Sequence, residues 1–142
     1  MSVITVKSEH QYDVVIGNDW LNELVSTLSG YSRVAIVFSE TQKESIPKIS
    51  IDSEVHYFPM PDGEAAKSTQ TIAKMWDWMG AAGFTRSDVV VGIGGGTVTD
   101  VAGFLSATWM RGIDWIAVPT TLAGMVDASV GGKTGINFGG LK

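Results

Sequence analysis

The stretch Val89-Val90-Val91-Gly92-Ile93-Gly94-Gly95-Gly96-Thr97-Val98-Thr99-Asp100 decides the fold. An apolar, β-branched run leads directly into a triple glycine. A helical pattern follows, with Val98, Val101, Ala102 and Leu105 at i, i+3, i+4 and i+7. The order is strand, tight turn, helix. A turn without side chains lets a ligand approach the backbone closely. The helix N-terminus adds unpaired N–H groups and a partial positive charge. Together they suit a phosphate or pyrophosphate. Gly92 and Gly94 meet the first two positions of the G-x-G-x-x-G fingerprint, but the third is Thr97. The lesser alternative for the turn by itself is a device for tight packing only.

The flanking chain alternates strands and helices. Before the turn, Val3–Val6, Tyr12–Ile16, Val34–Phe38 and Val55–Phe58 read as strands. Val34–Phe38 is apolar throughout, as a parallel strand buried on both faces should be. A helix capped by Asn18 or Asp19 carries Leu21, Leu24, Val25 and Leu28 on one face and ends at Gly30. Another, from about Ser68 to Ala81, carries Ile72, Met75, Trp76 and Met79, with Gly83 past its end. Pro59 and Pro61 are expected to force a loop after Phe58. Beyond the turn, Trp115–Val118 is a strand broken by Pro119, and Thr121–Val126 a short helix. Ser129–Gly140 is glycine-rich and without helical period. The fold expected is α/β, with a Rossmann-like, mostly parallel sheet and flanking helices. Ligands gather at the carboxyl ends of such strands.

The composition of the 142 residues, 44% hydrophobic and 18% charged, suits one globular domain. There is no cysteine, which excludes disulfides and thiolate metal sites. The formal charge of −5, with no basic cluster, argues against a general nucleic-acid binder. No run approaches the roughly 18 apolar residues of a membrane span, and the first residues carry no signal-peptide pattern. A cytoplasmic location is expected. The chain stops within a loop that looks functional, which reads as a truncated domain.

Several polar residues fall at or after strand ends. Glu40 suits the hydroxyls of an adenosine ribose, or equally a solvated loop acid or helix cap. Asp62-Gly63-Glu64 with Lys67 sets an acid and a base three residues apart on one face of a turn, which is also the pattern of a weak surface ion pair. Asp100, near the start of the glycine-turn helix, is favoured there by the helix dipole alone. Arg111 has the planar fork that grips phosphate, or caps carbonyls. Gly131-Gly132-Lys133-Thr134 is not a P-loop, because Asp127 occupies its first glycine position and no helix follows. Lys133 nonetheless presents a mobile cation suited to a leaving phosphate. His10 and His56 have no metal-ligand spacing and read as structural or surface residues.

On these residues the chain resembles the NAD-binding half of the 3-dehydroquinate synthase family. The carriers are Asp62-Gly63-Glu64 with Lys67, Gly94-Gly95-Gly96 through Asp100-Val101-Ala102-Gly103-Phe104, Met110-Arg111-Gly112, Val118-Pro119-Thr120-Thr121, and Val126-Asp127 through Lys133-Thr134-Gly135-Ile136-Asn137. Thr99 stands where glycine is common, and Phe138 where histidine is frequent.

The resemblance implies that Glu40, Asp62, Gly63, Glu64, Lys67, Gly94, Gly95, Gly96, Thr97, Val98, Thr99, Asp100, Thr120 and Thr121 serve NAD. Arg111, Asp127, Lys133 and Lys142 would face a sugar acid phosphate, with Lys133 and Lys142 shared with the cofactor. It implies a lyase of the shikimate pathway, with transient oxidation by NAD, phosphate elimination, re-reduction and aldol closure. It also implies a homodimer for the full-length enzyme, and a divalent metal, zinc or cobalt, held by a second, helical domain. No metal site and no turnover are then expected of this chain alone. The alternatives are another sugar-phosphate cyclase, for instance one acting on sedoheptulose 7-phosphate, and an NAD- and metal-dependent polyol dehydrogenase. Gly132 and Ser129 favour the dehydroquinate enzyme. A non-catalytic nucleotide-binding module is a further alternative.

Overall fold

The computed structural model describes residues 1–130 and 133–139. Strands β1 (Ser2–Val6) and β2 (Tyr12–Ile16) form an antiparallel hairpin of their own, with Ile4 opposite Val14. Helix α1 (Trp20–Leu28) then leads to the main sheet. That sheet contains β3 (Arg33–Ser39), β4 (Glu54–Met60), β5 (Val89–Gly94) and β6 (Asp114–Pro119). Its order is β4-β3-β5-β6, all parallel, with α2 (Thr69–Ala81) and α3 (Gly96–Thr108) as crossover helices.

Alternation along the central strands makes two cores. Val34, Ile36 and Phe38 of β3 and Val89, Val91 and Ile93 of β5 face Leu24 and Leu28 of α1. Ala35, Val37 and Val90 face the other way, onto Ile72, Met75 and Met79 of α2 and Val101, Ala102 and Leu105 of α3. All six residues of β5 are buried, as a strand covered on both faces must be.

Two glycines of the motif serve this packing. A Cβ at Gly92 would lie 2.7 Å from the Ala102 Cβ, and one at Gly94 would lie 2.6 Å from Val98 Cγ2. Their absence lets α3 lie close against β5.

At the foot of the sheet the Asp88 carboxylate, 1% exposed, accepts hydrogen bonds from the backbone N–H of Arg33 (3.1 Å) and of Thr85 (2.7 Å). It ties the start of β3 to the start of β5. Toward the carboxyl end the two strands part. Their pairing runs from Val34 opposite Val89 only to Val37 opposite Gly92. β3 stays paired with β4 up to Ser39 and Met60, and β5 with β6 up to Gly94 and Pro119. The sheet therefore forks between β3 and β5, where the order of connections reverses.

Three expectations need correction. Pro59 does not end its strand. β4 continues to Met60, with Pro59 opposite Phe38. An edge strand has one side free of ladder bonds, so the missing N–H costs nothing there. Trp76 does not share the buried face of Ile72, Met75 and Met79. It is 37% exposed, and its indole N–H donates to Thr108 Oγ1 at 3.2 Å, bridging α2 and α3. The helix expected over Thr121–Val126 begins at Leu122 and widens into a π-helical turn over Gly124–Ala128. Gly83 does close α2 in a left-handed conformation (φ 78°), with Phe84 N–H bonding back to Met79 O and Gly83 N–H to Gly80 O.

Candidate functional site

The site lies in the fork. β5 ends at Gly94, and Gly95 is the N-cap of α3 without any side-chain cap. The first turn of α3 is left without a capping side chain, and its dipole points into the fork. Thr99 N–H makes a helical bond to Gly95 O at 3.1 Å. Thr120 N–H donates to Gly94 O at 2.9 Å, holding the end of β6 beside the turn. Thr121 leans over it, since a Cβ at Gly95 would come within 3.2 Å of Thr121 Cγ2. Thr121 Oγ1 also caps the following turn by accepting from Gly124 N–H at 3.1 Å. A Cβ at Gly96 would meet Ala128 at 3.5 Å, an ordinary contact. The glycines therefore divide by role. Gly94 faces α3 and is needed for packing, Gly95 passes close under Thr121, and Gly96 alone of the three has room for a methyl group.

Beside the turn, Lys67 Nζ donates to Asp100 Oδ2 at 2.8 Å, with the two side chains 13% and 25% exposed. Glu64 and Lys67 do share a short turn, in which Lys67 N–H bonds Glu64 O at 3.0 Å. The lysine's ion pair, however, reaches across to α3. Glu64 Oε2 accepts from Asn137 Nδ2 at 2.9 Å.

At the end of β3, Ser39 leads into a 3-10 turn, Glu40–Ser45. Glu40 is exposed there. The Asp62 carboxylate accepts from Ser39 Oγ, from Thr41 Oγ1 (3.0 Å) and from Thr41 N–H (3.3 Å). These bonds, Ser39's first, hold Asp62 below the usual carboxylate range. Asp62 with Gly63, which takes a positive φ of 62°, shapes the loop that carries Glu64. Thr97 and Val98 open α3, and Thr99 is fully buried, its Oγ1 bonded to Gly96 O at 3.0 Å.

Asp127 sits exposed in the π-helical turn, and Lys133 exposed at the start of the next described segment. Arg111 is not brought to this site. It follows α3, whose thirteen residues carry it roughly 20 Å to the opposite end of the sheet. Met110 and Arg111 there both adopt positive φ, 45° and 75°. Lys142 and Gly132 lie outside the described residues.

Sequence reasoning missed Asn137 and the partners Ser39 and Thr41. None carries charge, and each acquires its role only through a contact distant in sequence. A mid-helix glycine, Gly103, was the available signal for the seat of the 133–139 segment.

Among the described residues, no helix is long and apolar enough to cross a membrane. Nor is any group of three or more His, Cys, Asp or Glu placed to hold a metal ion.

A family model described as 3-dehydroquinate synthase N-terminal matches residues 57–142. A protein named 3-dehydroquinate synthase from Thermobifida fusca (strain YX) is 50% identical over 132 residues, covering 89% of this chain and 36% of its own length. The structure of ValA, a 2-epi-5-epi-valiolone synthase from Streptomyces hygroscopicus subsp. jinggangensis 5008 with NAD+ and Zn2+ bound, aligns with a TM-score of 0.78 at 31% identity. That alignment covers 95% of this chain and 39% of ValA. A 2-deoxy-scyllo-inosose synthase complexed with carbaglucose-6-phosphate, NAD+ and Co2+ aligns at TM-score 0.82 over 97% of this chain and 40% of that one. At 20% identity it speaks for the fold alone. The chain thus spans well under half the length of the relatives it matches.

Proposed function

The chain belongs to the 3-dehydroquinate synthase family, and from that membership we propose that it is the NAD-binding domain of a two-domain lyase. The proposed reaction converts 3-deoxy-D-arabino-heptulosonate 7-phosphate into 3-dehydroquinate and phosphate. The observation that carries the reading is the uncapped N-terminus of α3 behind Gly95 and Gly96, at the fork of a parallel sheet.

The residues present fit a dinucleotide. First-turn N–H groups without a capping side chain are donors for a pyrophosphate. Glu40, exposed just after the end of β3, is the residue we assign to the ribose hydroxyls. Thr120 and Thr121 form the wall on the β6 side, and Lys67 and Asp100 the wall under the turn. When bound, NAD supplies an oxidation that is reversed within each turnover. The chain's own part is to fix the dinucleotide and to present cations to the leaving phosphate. Lys133 is the described cation for that task. The family membership adds Asp127 as a group for the same substrate and Lys142, outside the described residues, as one for the cofactor. Arg111 does not join this cluster within one copy of the chain.

No group of three or more His, Cys, Asp or Glu among the described residues is placed to hold the metal. Zinc or cobalt would be held by the rest of the enzyme, which works in the cytoplasm as a homodimer. A related cyclase acting on another sugar phosphate is the second reading, favoured by the 31% identity with ValA over 95% of the chain.

The test is a chimera in which this chain replaces the matching part of the Thermobifida fusca relative. Phosphate release and NADH absorbance are followed together. Phosphate from the heptulosonate phosphate with no accumulating NADH supports the reading. Preference for sedoheptulose 7-phosphate supports the second. NADH accumulation from a polyol without phosphate would overturn both.

A further inference from the structure

We propose that Asn137 is a positioning residue that couples the arm bearing Lys133 to the cofactor cluster of Glu64, Lys67 and Asp100. The inference rests on the NAD reading above.

The arm, residues 133–139, has no regular secondary structure over 133–137. It is held by packing at one point and by hydrogen bonds at another. Thr134 lies directly on α3 at Gly103, where an added Cβ would come within 2.1 Å of Thr134 Cγ2. Ile136 packs against the core that includes the buried faces of α2 and α3. Asn137 then closes the arm with two bonds to one short turn. Its backbone N–H donates to Lys67 O at 2.8 Å, and its side-chain Nδ2 donates to Glu64 Oε2 at 2.9 Å.

The amide orientation is dictated by its neighbour. Nδ2 faces a carboxylate, and turning the amide would set oxygen against oxygen. Asn137 Oδ1 is shut away from solvent, with no donor among the described residues.

The turn gripped by Asn137 carries Lys67, which reaches the helix of the glycine turn through Asp100. One residue therefore joins the arm of the substrate lysine to groups assigned to the cofactor. A dinucleotide that engages Glu64 and Lys67 tightens the turn, and through Asn137 it tightens the arm. The coupling is reciprocal, because closing the arm must strengthen dinucleotide binding by the same factor.

The test uses tryptic cleavage after Lys133, an exposed site on the arm, with and without saturating NAD, together with calorimetric titration of NAD. In the parent chain NAD slows cleavage about tenfold. In Asn137→Ala the slowing falls to about onefold, while NAD still binds, no more than about tenfold more weakly. A role confined to the fold would speed cleavage equally with and without NAD and leave their ratio intact, which overturns the inference. Asn137→Ser keeps the backbone bond and a small polar group. It gives the same ratio test if the alanine variant does not fold, as judged by circular dichroism. Absence of NAD binding to the parent chain would overturn the NAD reading itself, an outcome the calorimetry reports separately.

Discussion

Gly94 and Gly96 are two residues apart, yet substitution by alanine should damage different properties. Neither has a positive φ, so backbone strain does not enter. At Gly94 the new Cβ would sit 2.6 Å from Val98 Cγ2 and 2.8 Å from Val98 Cβ. Carbon atoms rest at about 3.5–4.0 Å, so the first turn of α3 must retreat by roughly 1 Å. Val98 is 5% exposed, and the face beneath holds Val101 and Ala102, both fully buried, so little space exists to absorb the shift. Overpacking of this kind costs about 1–3 kcal/mol. At Gly96 the nearest atom is the Ala128 Cβ at 3.5 Å, which needs no movement. A glycine exchanged for alanine at a compatible helical position gains up to about 1 kcal/mol. On the NAD reading, a methyl group there narrows the approach of the pyrophosphate to the helix N-terminus. Urea denaturation and calorimetric titration with NAD separate the two effects. Gly94→Ala should lose about 1–3 kcal/mol of stability. Gly96→Ala should keep its stability and lose NAD affinity by roughly tenfold or more, the effect of about 1.4 kcal/mol. A Gly94→Ala protein as stable as the parent, or a Gly96→Ala protein that binds NAD undiminished, would refute the assignment of roles.

Lys67→Met should destabilise the chain by about 1–2 kcal/mol, because Asp100, 25% exposed, loses its partner at 2.8 Å. An equal loss in Asp100→Asn would mark the pair as the cause, and an unchanged urea midpoint would deny it. Burial, with the Asp114 carboxylate at 2.6 Å, raises the Tyr31 hydroxyl from 10.0 to about 12. The folded state thus keeps a proton that the unfolded state releases. Stability is unaffected below pH 10 and falls between about 10 and 12. That part of the slope should vanish in Tyr31→Phe. Asp62 titrates below its ordinary 3.8, so its contribution is present above that pH and lost as acid brings it through its lower folded value. Asp62→Asn should flatten the acid limb, and an identical limb in both proteins would count against the Ser39 bond. Around the glycine turn, Leu122, Val126 and Phe138 are 74%, 70% and 73% exposed. The chain by itself should therefore self-associate at high concentration. Monodisperse monomer by light scattering would contradict this.

What could be read from the sequence was whatever local pattern determines. The helical period from Val98 to Leu105 and the apolar run Val34–Phe38 needed no partner to be recognised, and all are buried as expected. Gly83 announced the end of α2. Pro59 misled because its tolerance depends on β4 being an edge, and strand order is not written locally. Trp76 misled because its spacing also fits the rim of the buried face. The pair of Lys67 with Asp100 joins residues 33 apart, and a nearer acid, Glu64, invited the wrong pairing. Arg111 follows the thirteen residues of α3, and which end of the sheet that helix delivers it to is a matter of topology, not of local pattern. The separate duties of Gly94 and Gly96 follow from which way each missing side chain would point, and no count of glycines reveals that.

The fork between β3 and β5 gives the molecule the mechanics of a clothes-peg. Asp88 clamps the two strands at one end, and they are unladdered at the other. Rigidity and access are thereby assigned to opposite ends of the same pair of strands, roughly 20 Å apart over the six residues of β5.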